Sequence, residues 1–291
     1  MQNEYVGWIG LGNIGHVMAE RIASVGHALI VADPVNASRA PEGARVASSN
    51  GEVAENAETI FLCLPDGAIS IAVCRELLAV KAHRIRRIVN TSTTGMPAAQ
   101  ELANMLAPYD IDYIDSPVSG GVAGARAGTL AVIMSGAPIA ISEVERYLES
   151  LGKIYSIGEH PGQAQALKLL NNFLAGAALV AASEAVAFGV ACGLDMSTIL
   201  EVVNNASGRN TATMIKFPNE IVNERYSGGF GTELFAKDLR LYLESVSAIG
   251  APNIVAGLVG EVWEDFGRSD PGTDSTRIYQ HIRDKGLLKS G

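Results

Sequence analysis

Short apolar runs alternate with longer amphipathic stretches through roughly the first 160 residues. Tyr5–Ile9, 28–32, 59–64, Arg87–Asn90, 111–114 and 129–134 are largely apolar and too short for helices, which predicts buried strands. The segments between them, such as 14–25, 69–80 and 97–107, have the length and the Ala, Leu and Glu content of crossover helices. Strands separated by helices imply βαβ units, and so a doubly wound, mainly parallel α/β sheet covered on both faces. From Gly162 the pattern changes. Residues 164–191 contain no proline and are rich in Ala and Leu, and about 28 residues of helix would run roughly 42 Å. Further helices are expected at Met196–Asn204, 236–248 and 254–266, separated by Ser207-Gly208, Ser227-Gly228-Gly229 and Gly250-Ala251-Pro252. The expected organisation is a Rossmann-type domain over 1–162, then an all-helical domain over 163–291 that starts with a long interdomain helix. The tail from Lys285 to Gly291 is expected to fray.

Composition narrows the function. The 291 residues carry 22 Lys and Arg against 31 Asp and Glu, a net charge of −9, which argues against a nucleic-acid partner. Hydrophobic residues make up 48% and charged residues 18%, the balance of a fully folded globular chain. Cys63, Cys74 and Cys192 have no C-x-x-C spacing and lie in apolar stretches, so neither a disulfide framework nor a metal site is expected. Met1-Gln2-Asn3-Glu4-Tyr5 lacks the basic and apolar regions of a signal peptide, which makes the cytoplasm the default location. The apolar stretch 173–191 carries Ser183 and Glu184 and falls short of the roughly 20 apolar residues of a membrane span, so it reads as a buried helix.

Directly after the first predicted strand stands Gly10-Leu11-Gly12-Asn13-Ile14-Gly15, a G-x-G-x-x-G that opens a helix, and Asp33 closes the second strand. Gly10 permits the tight turn, Gly12 lets backbone approach a pyrophosphate, and Gly15 allows close helix–strand packing. The helix N-terminus adds N–H groups and the positive end of a dipole. A nicotinamide dinucleotide is the implied cofactor. Asp33 suits a ribose 2′-hydroxyl and repels a 2′-phosphate, which favours NAD, while Arg39 nearby keeps NADP open. Leu64-Pro65-Asp66 and Asn90-Thr91-Ser92-Thr93-Thr94 end strands on the ligand-binding edge of such sheets, although Ser92 and Thr94 serve equally well as turn formers or caps.

Two segments of the sequence suggest chemistry. Asp115-Ser116-Pro117-Val118-Ser119-Gly120-Gly121 offers a hydroxyl and unhindered N–H groups in a turn, suited to a carboxylate. Lys168 opens the long helix with Asn172 one turn on. On helix position alone Lys168 reads more readily as a solvated surface lysine than as a catalytic group.

The order of Gly10–Gly15, Asp115–Gly121, Gly162–Asn172 and Phe235-Ala236-Lys237-Asp238 resembles the β-hydroxyacid dehydrogenase family, members of the 3-hydroxyisobutyrate dehydrogenase and tartronate semialdehyde reductase type, across almost the whole chain. The resemblance implies that Lys168 is the acid/base, that Ser119, Gly120 and Gly121 hold a substrate carboxylate, and that Asn172 orients the reacting oxygen. It implies further that Thr93 and Lys237 contact cofactor or substrate, with Gly10 to Gly15, Asp33, Leu64 and Pro65 at the dinucleotide. Phe230 would be a pocket wall or simple core. Ile14, Ser116 and Ala164 depart from the family's usual Met, Ala or Cys, and second glycine. The implied reaction is hydride transfer between NAD(P) and the 3-hydroxyl carbon of a short β-hydroxy acid. Imine reduction on the same scaffold, or a non-catalytic dinucleotide-sensing module, are the alternatives; a phosphogluconate-type decarboxylase lacks its basic phosphate cluster here. Apolar faces in the second half suggest a homodimer or homotetramer.

Overall fold

The structure is a computed structural model that describes residues 5–288. Its chain divides into two compact units, Met1–Lys168 and Leu169–Gly291.

The first unit follows the expected alternation. In order it contains β1 (Tyr5–Ile9), α1 (Gly15–Ser24), β2 (Leu29–Ala32), β3 (Arg45–Val46), α2 (Asn50–Asn56), β4 (Ala57–Leu62), α3 (Gly67–Leu78), β5 (Arg87–Asn90), α4 (Met96–Leu106) and β6 (Asp112–Asp115). Then come β7 (Val118–Ser119), α5 (Gly121–Ala127), β8 (Leu130–Ser135), α6 (Pro138–Leu148), β9 (Gly152–Gly158) and the start of α7 (Gln163–Ala191). The sheet runs β3-β2-β1-β4-β5-β6-β8-β7, with β9 against β8. The first six strands in that order are parallel, whereas β8 is antiparallel to β6 and β7. The order reverses between β1 and β4, the switch point where doubly wound sheets bind ligands.

The near-continuous apolar runs have a simple cause. Val31, Phe61 and Val89 join one buried cluster and Ile30, Ile60 and Ile88 another, as alternating side chains of a sheet covered on both faces must. Trp8 stacks on Phe61 with ring centroids 5.5 Å apart. Polar punctuation starts the helices: Ser49 caps α2 and Asp66 caps α3, each accepting a backbone N–H three residues on.

The second unit contains the rest of α7, then α8 (Met196–Asn204), α9 (Thr232–Ile249), α10 (Ile254–Ser269) and α11 (Ile278–Leu288). Between α8 and α9, Ala212–Ile221 winds as a π-helix with Pro218 inside it. Phe235 stacks on Trp263 at 4.2 Å, and a Cβ on Gly176 of α7 would come within 2.7 Å of the Phe235 ring. A glycine there lets this unit's helices pack closely.

Several expectations need correction. The segment expected to be only a turn after β6 contains the short strand β7, antiparallel to β8. Helix α11 continues past Lys285 to Leu288, so the first residues of the tail expected to fray are helical; residues 289–291 lie outside the described residues, as do residues 1–4, on which the signal-peptide reading falls. Cys192 is exposed rather than packed as a hydrophobe, while Cys74 is buried. By length and composition α7 is apolar enough to cross a membrane, more than its second half alone indicated. Its Leu179, Val180, Ala182 and Val186 nevertheless belong to the core of their own unit, and Ser183 is fully buried there, as in a core helix.

Candidate active site

The first unit gathers most of its candidate residues at the C-terminal ends of the parallel strands. Gly10 leaves β1 with φ of +103°, and a Cβ there would lie 2.2 Å from the Cys63 carbonyl oxygen. Gly12 differs, because a Cβ there would meet nothing within 4 Å. Its backbone is open to an approaching ligand, and no side chain caps the N-terminus of α1. These features fit the pyrophosphate of a dinucleotide. Within the loop the residues diverge. Leu11 buries its side chain completely, Ile14 packs partly against the core, and Asn13 is exposed, its Oδ1 accepting a hydrogen bond from Arg39 at 3.2 Å.

Asp33 sits just past β2. Its Oδ2 accepts the Leu11 N–H at 2.7 Å, and its Oδ1 accepts the N–H groups of Val35 and Asn36 at 2.8 and 2.7 Å. Burial pushes this carboxyl up, but the hydrogen bonds from Leu11, Asn36 and Val35 outweigh it, so the pKa lies below the ordinary value. Asp33 thus ties β2 to the glycine loop and stays ionised at neutral pH.

Past β4 and β5, Ser92 Oγ accepts the Leu64 N–H at 2.8 Å, joining the two segments expected at strand ends. Leu64 is half-buried and Pro65 exposed. Thr93 is half-buried between buried Ser92 and Thr94. Gln165, in the first turn of α7, holds this loop: its Oε1 accepts the N–H groups of Thr94 and Gly95 at 2.9 and 3.2 Å, and its Nε2 donates to the Ser92 carbonyl at 3.1 Å. Asp115 lies beside it, wholly buried, with Oδ1 accepting from Tyr113 OH at 2.9 Å and from Gln165 Nε2 at 3.2 Å. Its Oδ2 accepts the Gly162 N–H at 2.5 Å. Burial raises the pKa of Asp115 more than these hydrogen bonds lower it.

Ser119 is half-buried, and Gly120 and Gly121 follow with φ of +134° and +64°. A Cβ on Gly121 would meet nothing within 4 Å, so the turn leaves room for a ligand. Ala164, the departure from a glycine, is fully buried, and its N–H donates to Ser135 Oγ at 3.0 Å. Lys168 is 8% exposed. That is not the setting of a lysine dissolving a surface, which keeps its head in water; a buried lysine is rare and has a partner or a task.

In the second unit Asn172 is buried and donates through Nδ2 to Asp238 Oδ2 at 2.6 Å. Lys237 Nζ lies 3.2 Å from Asp238 Oδ1. These three residues therefore form one network around a buried carboxylate. Phe230 meets Phe235 edge to face at 5.1 Å and packs on the core, the blander of its two expected roles. Sequence reasoning missed Gln165 and gave Asp115 and Asp238 no role. The acids stood in plain view inside motifs, but Gln165 contacts residues about 70 positions away, for which the local sequence holds no signal.

Comparison with known proteins identifies the family. A family model described as the NAD binding domain of 6-phosphogluconate dehydrogenase matches residues 5–158. A second, described as NAD-binding of NADP-dependent 3-hydroxyisobutyrate dehydrogenase, matches residues 162–282. The 2-(hydroxymethyl)glutarate dehydrogenase of Eubacterium barkeri is 33% identical over 89% of this chain and 88% of its own. The 3-hydroxyisobutyrate dehydrogenase of Pseudomonas aeruginosa is 31% identical over 96% of this chain and 99% of its own. The structure of Mycobacterium tuberculosis 3-hydroxyisobutyrate dehydrogenase with L-serine superposes with a TM-score of 0.89 at 27% identity, covering 96% of this chain and 99% of that one. The chain belongs to the β-hydroxyacid dehydrogenase family and is a NAD(P)-dependent hydroxyacid dehydrogenase.

Proposed function

We propose that the enzyme oxidises the 3-hydroxyl carbon of a short β-hydroxy acid of the 3-hydroxyisobutyrate or tartronate semialdehyde type, with Lys168 as general acid/base. The observation that carries this reading is the burial of Lys168 three residues beyond the anchored Gln165. Residues 10–15, Asp33, Leu64, Pro65 and Thr93 would hold the dinucleotide, which would supply the hydride acceptor for the carbinol carbon or the hydride donor in the reverse direction. Ser119, Gly120 and Gly121 bind the substrate carboxylate, and Asn172 and Lys237 orient the reacting end. As the C–H bond breaks, the neutral Lys168 amine takes the hydroxyl proton and the carbon–oxygen bond becomes a carbonyl. In the reverse direction the ammonium returns the proton to the oxygen and stabilises its developing negative charge. Phe230 contributes to the pocket only through the core it supports.

The ionised Asp33 favours NAD, since a 2′-phosphate would meet a fixed negative charge, and Arg39 on Asn13 is the group through which NADP would be tolerated. Residues 1–162 act as the nucleotide domain and 163–291 as the substrate and oligomerisation domain of a homodimer or homotetramer. Three free thiols fit a cytoplasmic enzyme, and the net negative charge fits a small-molecule partner rather than nucleic acid or an anionic membrane surface. The test is a panel of short 3-hydroxy acids with NAD⁺ and NADP⁺, with a cyclic imine plus reduced cofactor alongside. Fastest turnover on a 3-hydroxy acid with NAD⁺ supports the reading; turnover confined to the imine overturns it.

A further inference from the structure

We propose that Asp115 and Gln165 are positioning residues for proton transfer: the buried carboxylate at the end of β6, acting through the Gln165 amide, fixes the setting of α7 that places the Lys168 amine. The proposal rests on the reading of Lys168 as acid/base. An ordinary helix start needs one short side chain near its own N-terminus, as Asp66 provides for α3. The start of α7 is held instead from the ends of three strands. Gly162 N–H donates to Asp115 at the end of β6, Ala164 N–H to Ser135 at the end of β8, and Gln165 bridges Asp115 to Ser92, Thr94 and Gly95 beyond β5.

The Gln165 amide is fully used, with both N–H groups donated and two N–H groups accepted. The amide therefore cannot turn over without losing bonds at both ends. Tyr113 extends the cluster, accepting from Asn90 Nδ2 at 3.3 Å while its hydroxyl donates to Asp115. A wholly buried carboxylate is an expensive way to finish a helix, because desolvating the charge costs several kcal/mol before its bonds repay it. The cluster accomplishes more than a cap. Lys168 lies three residues after Gln165 on one helix, so the two share a face and the azimuth of one fixes that of the other. The same glutamine orders the segment that holds Thr93. A shift of about 1 Å at a reacting group can cost two orders of magnitude in rate, and this anchor restrains such a shift.

The experiment is a double-mutant cycle in the full-length enzyme: Gln165→Met, Lys168→Ala and the double variant, with folding checked by thermal melts. Gln165→Met should lower kcat by roughly 30- to 100-fold while changing KM for the hydroxy acid by less than about threefold. Added to Lys168→Ala, it should cost less than about threefold, since the group it positions is gone. Full loss carried into the Lys168→Ala background would overturn the positioning role and leave the acid/base reading intact. Near-normal turnover of Lys168→Ala would overturn the acid/base reading and the proposal with it. Should Gln165→Met not fold, Asp115→Asn, Gln165→Glu and their combination make the same comparison. Each single change sets like against like, donor on donor or carboxylate on carboxylate, and the pair restores a donor–acceptor contact. Partial recovery of the lost kcat in the pair is expected, because the carboxylate introduced at position 165 regains its contact with residue 115 but still sets an acceptor against the Ser92 carbonyl; a pair no better than its worse single contradicts the proposal.

Discussion

Burial separates residues that the sequence left equal. Lys168 and the exposed Lys285 are both helix lysines in the sequence, yet only Lys168 is withdrawn from water, and no periodicity distinguishes them. Asn172 and Asp238 make a similar point, since their 2.6 Å bond joins residues 66 positions apart. Asn172→Ala leaves a buried carboxylate short of a donor and should destabilise the fold by about 1.5–3 kcal/mol, read by urea denaturation; a change below about 0.5 kcal/mol would mean water replaces the amide. The thiols sort by burial as well. Burial pushes Cys63 up to about 11 and Cys74 up to about 12, and Cys192 is exposed. Titration of native protein with a thiol reagent should therefore modify Cys192 quickly, the half-buried Cys63 slowly and Cys74 only after unfolding. Asp115 adds a pH signature. Its folded pKa is raised, chiefly by burial, so the fold binds its proton more tightly than the unfolded chain. The associated stability is present below the unfolded value of about 3.9 and declines as pH rises to the folded pKa. The stability lead of the native enzyme over Asp115→Asn should shrink across that window, and a lead that grows with pH would contradict the assignment.

At the scale of elements, the parallel strands and α7 were readable because they bury long apolar runs on both faces. Strand β9 was not, because it pairs only with β8 and leaves most of its side chains exposed or half-exposed, so it carries no buried run. Helix α5 was hidden by its composition, Gly-Val-Ala-Gly-Ala-Arg-Ala, which reads as a loop. The glycine loop was legible in detail, and its glycines should separate in experiment. Gly10→Ala places a methyl against the Cys63 carbonyl at positive φ and should lower stability by more than about 1 kcal/mol. Gly12→Ala meets no neighbour within 4 Å, so its melting temperature should hold while dinucleotide affinity falls at least about tenfold through lost close approach. Equal effects of both changes on stability would mean that Gly12, too, is required by the fold.

For the whole molecule, family membership followed from motif order and the two-part architecture from the hydrophobic pattern, whereas the proposed self-association could be assigned to no particular residues, because only the folded chain shows which apolar side chains stay uncovered. Leu170, Leu174 and Phe188 of α7 are 45%, 58% and 73% exposed and fall on one stripe of that helix, opposite in azimuth to Lys168 and Asn172. A second copy covering this stripe predicts a dimer or tetramer by sedimentation, and Leu174→Glu with Phe188→Glu should shift it toward monomer. A monomeric native enzyme would contradict that part of the account. The account's central claim concerns a single proton and is tested most directly by Lys168→Ala, with turnover on the best 3-hydroxy acid and dinucleotide binding measured separately. A fall in kcat of roughly two to four orders of magnitude with binding retained is the predicted result; kcat within about threefold of the native enzyme would contradict it.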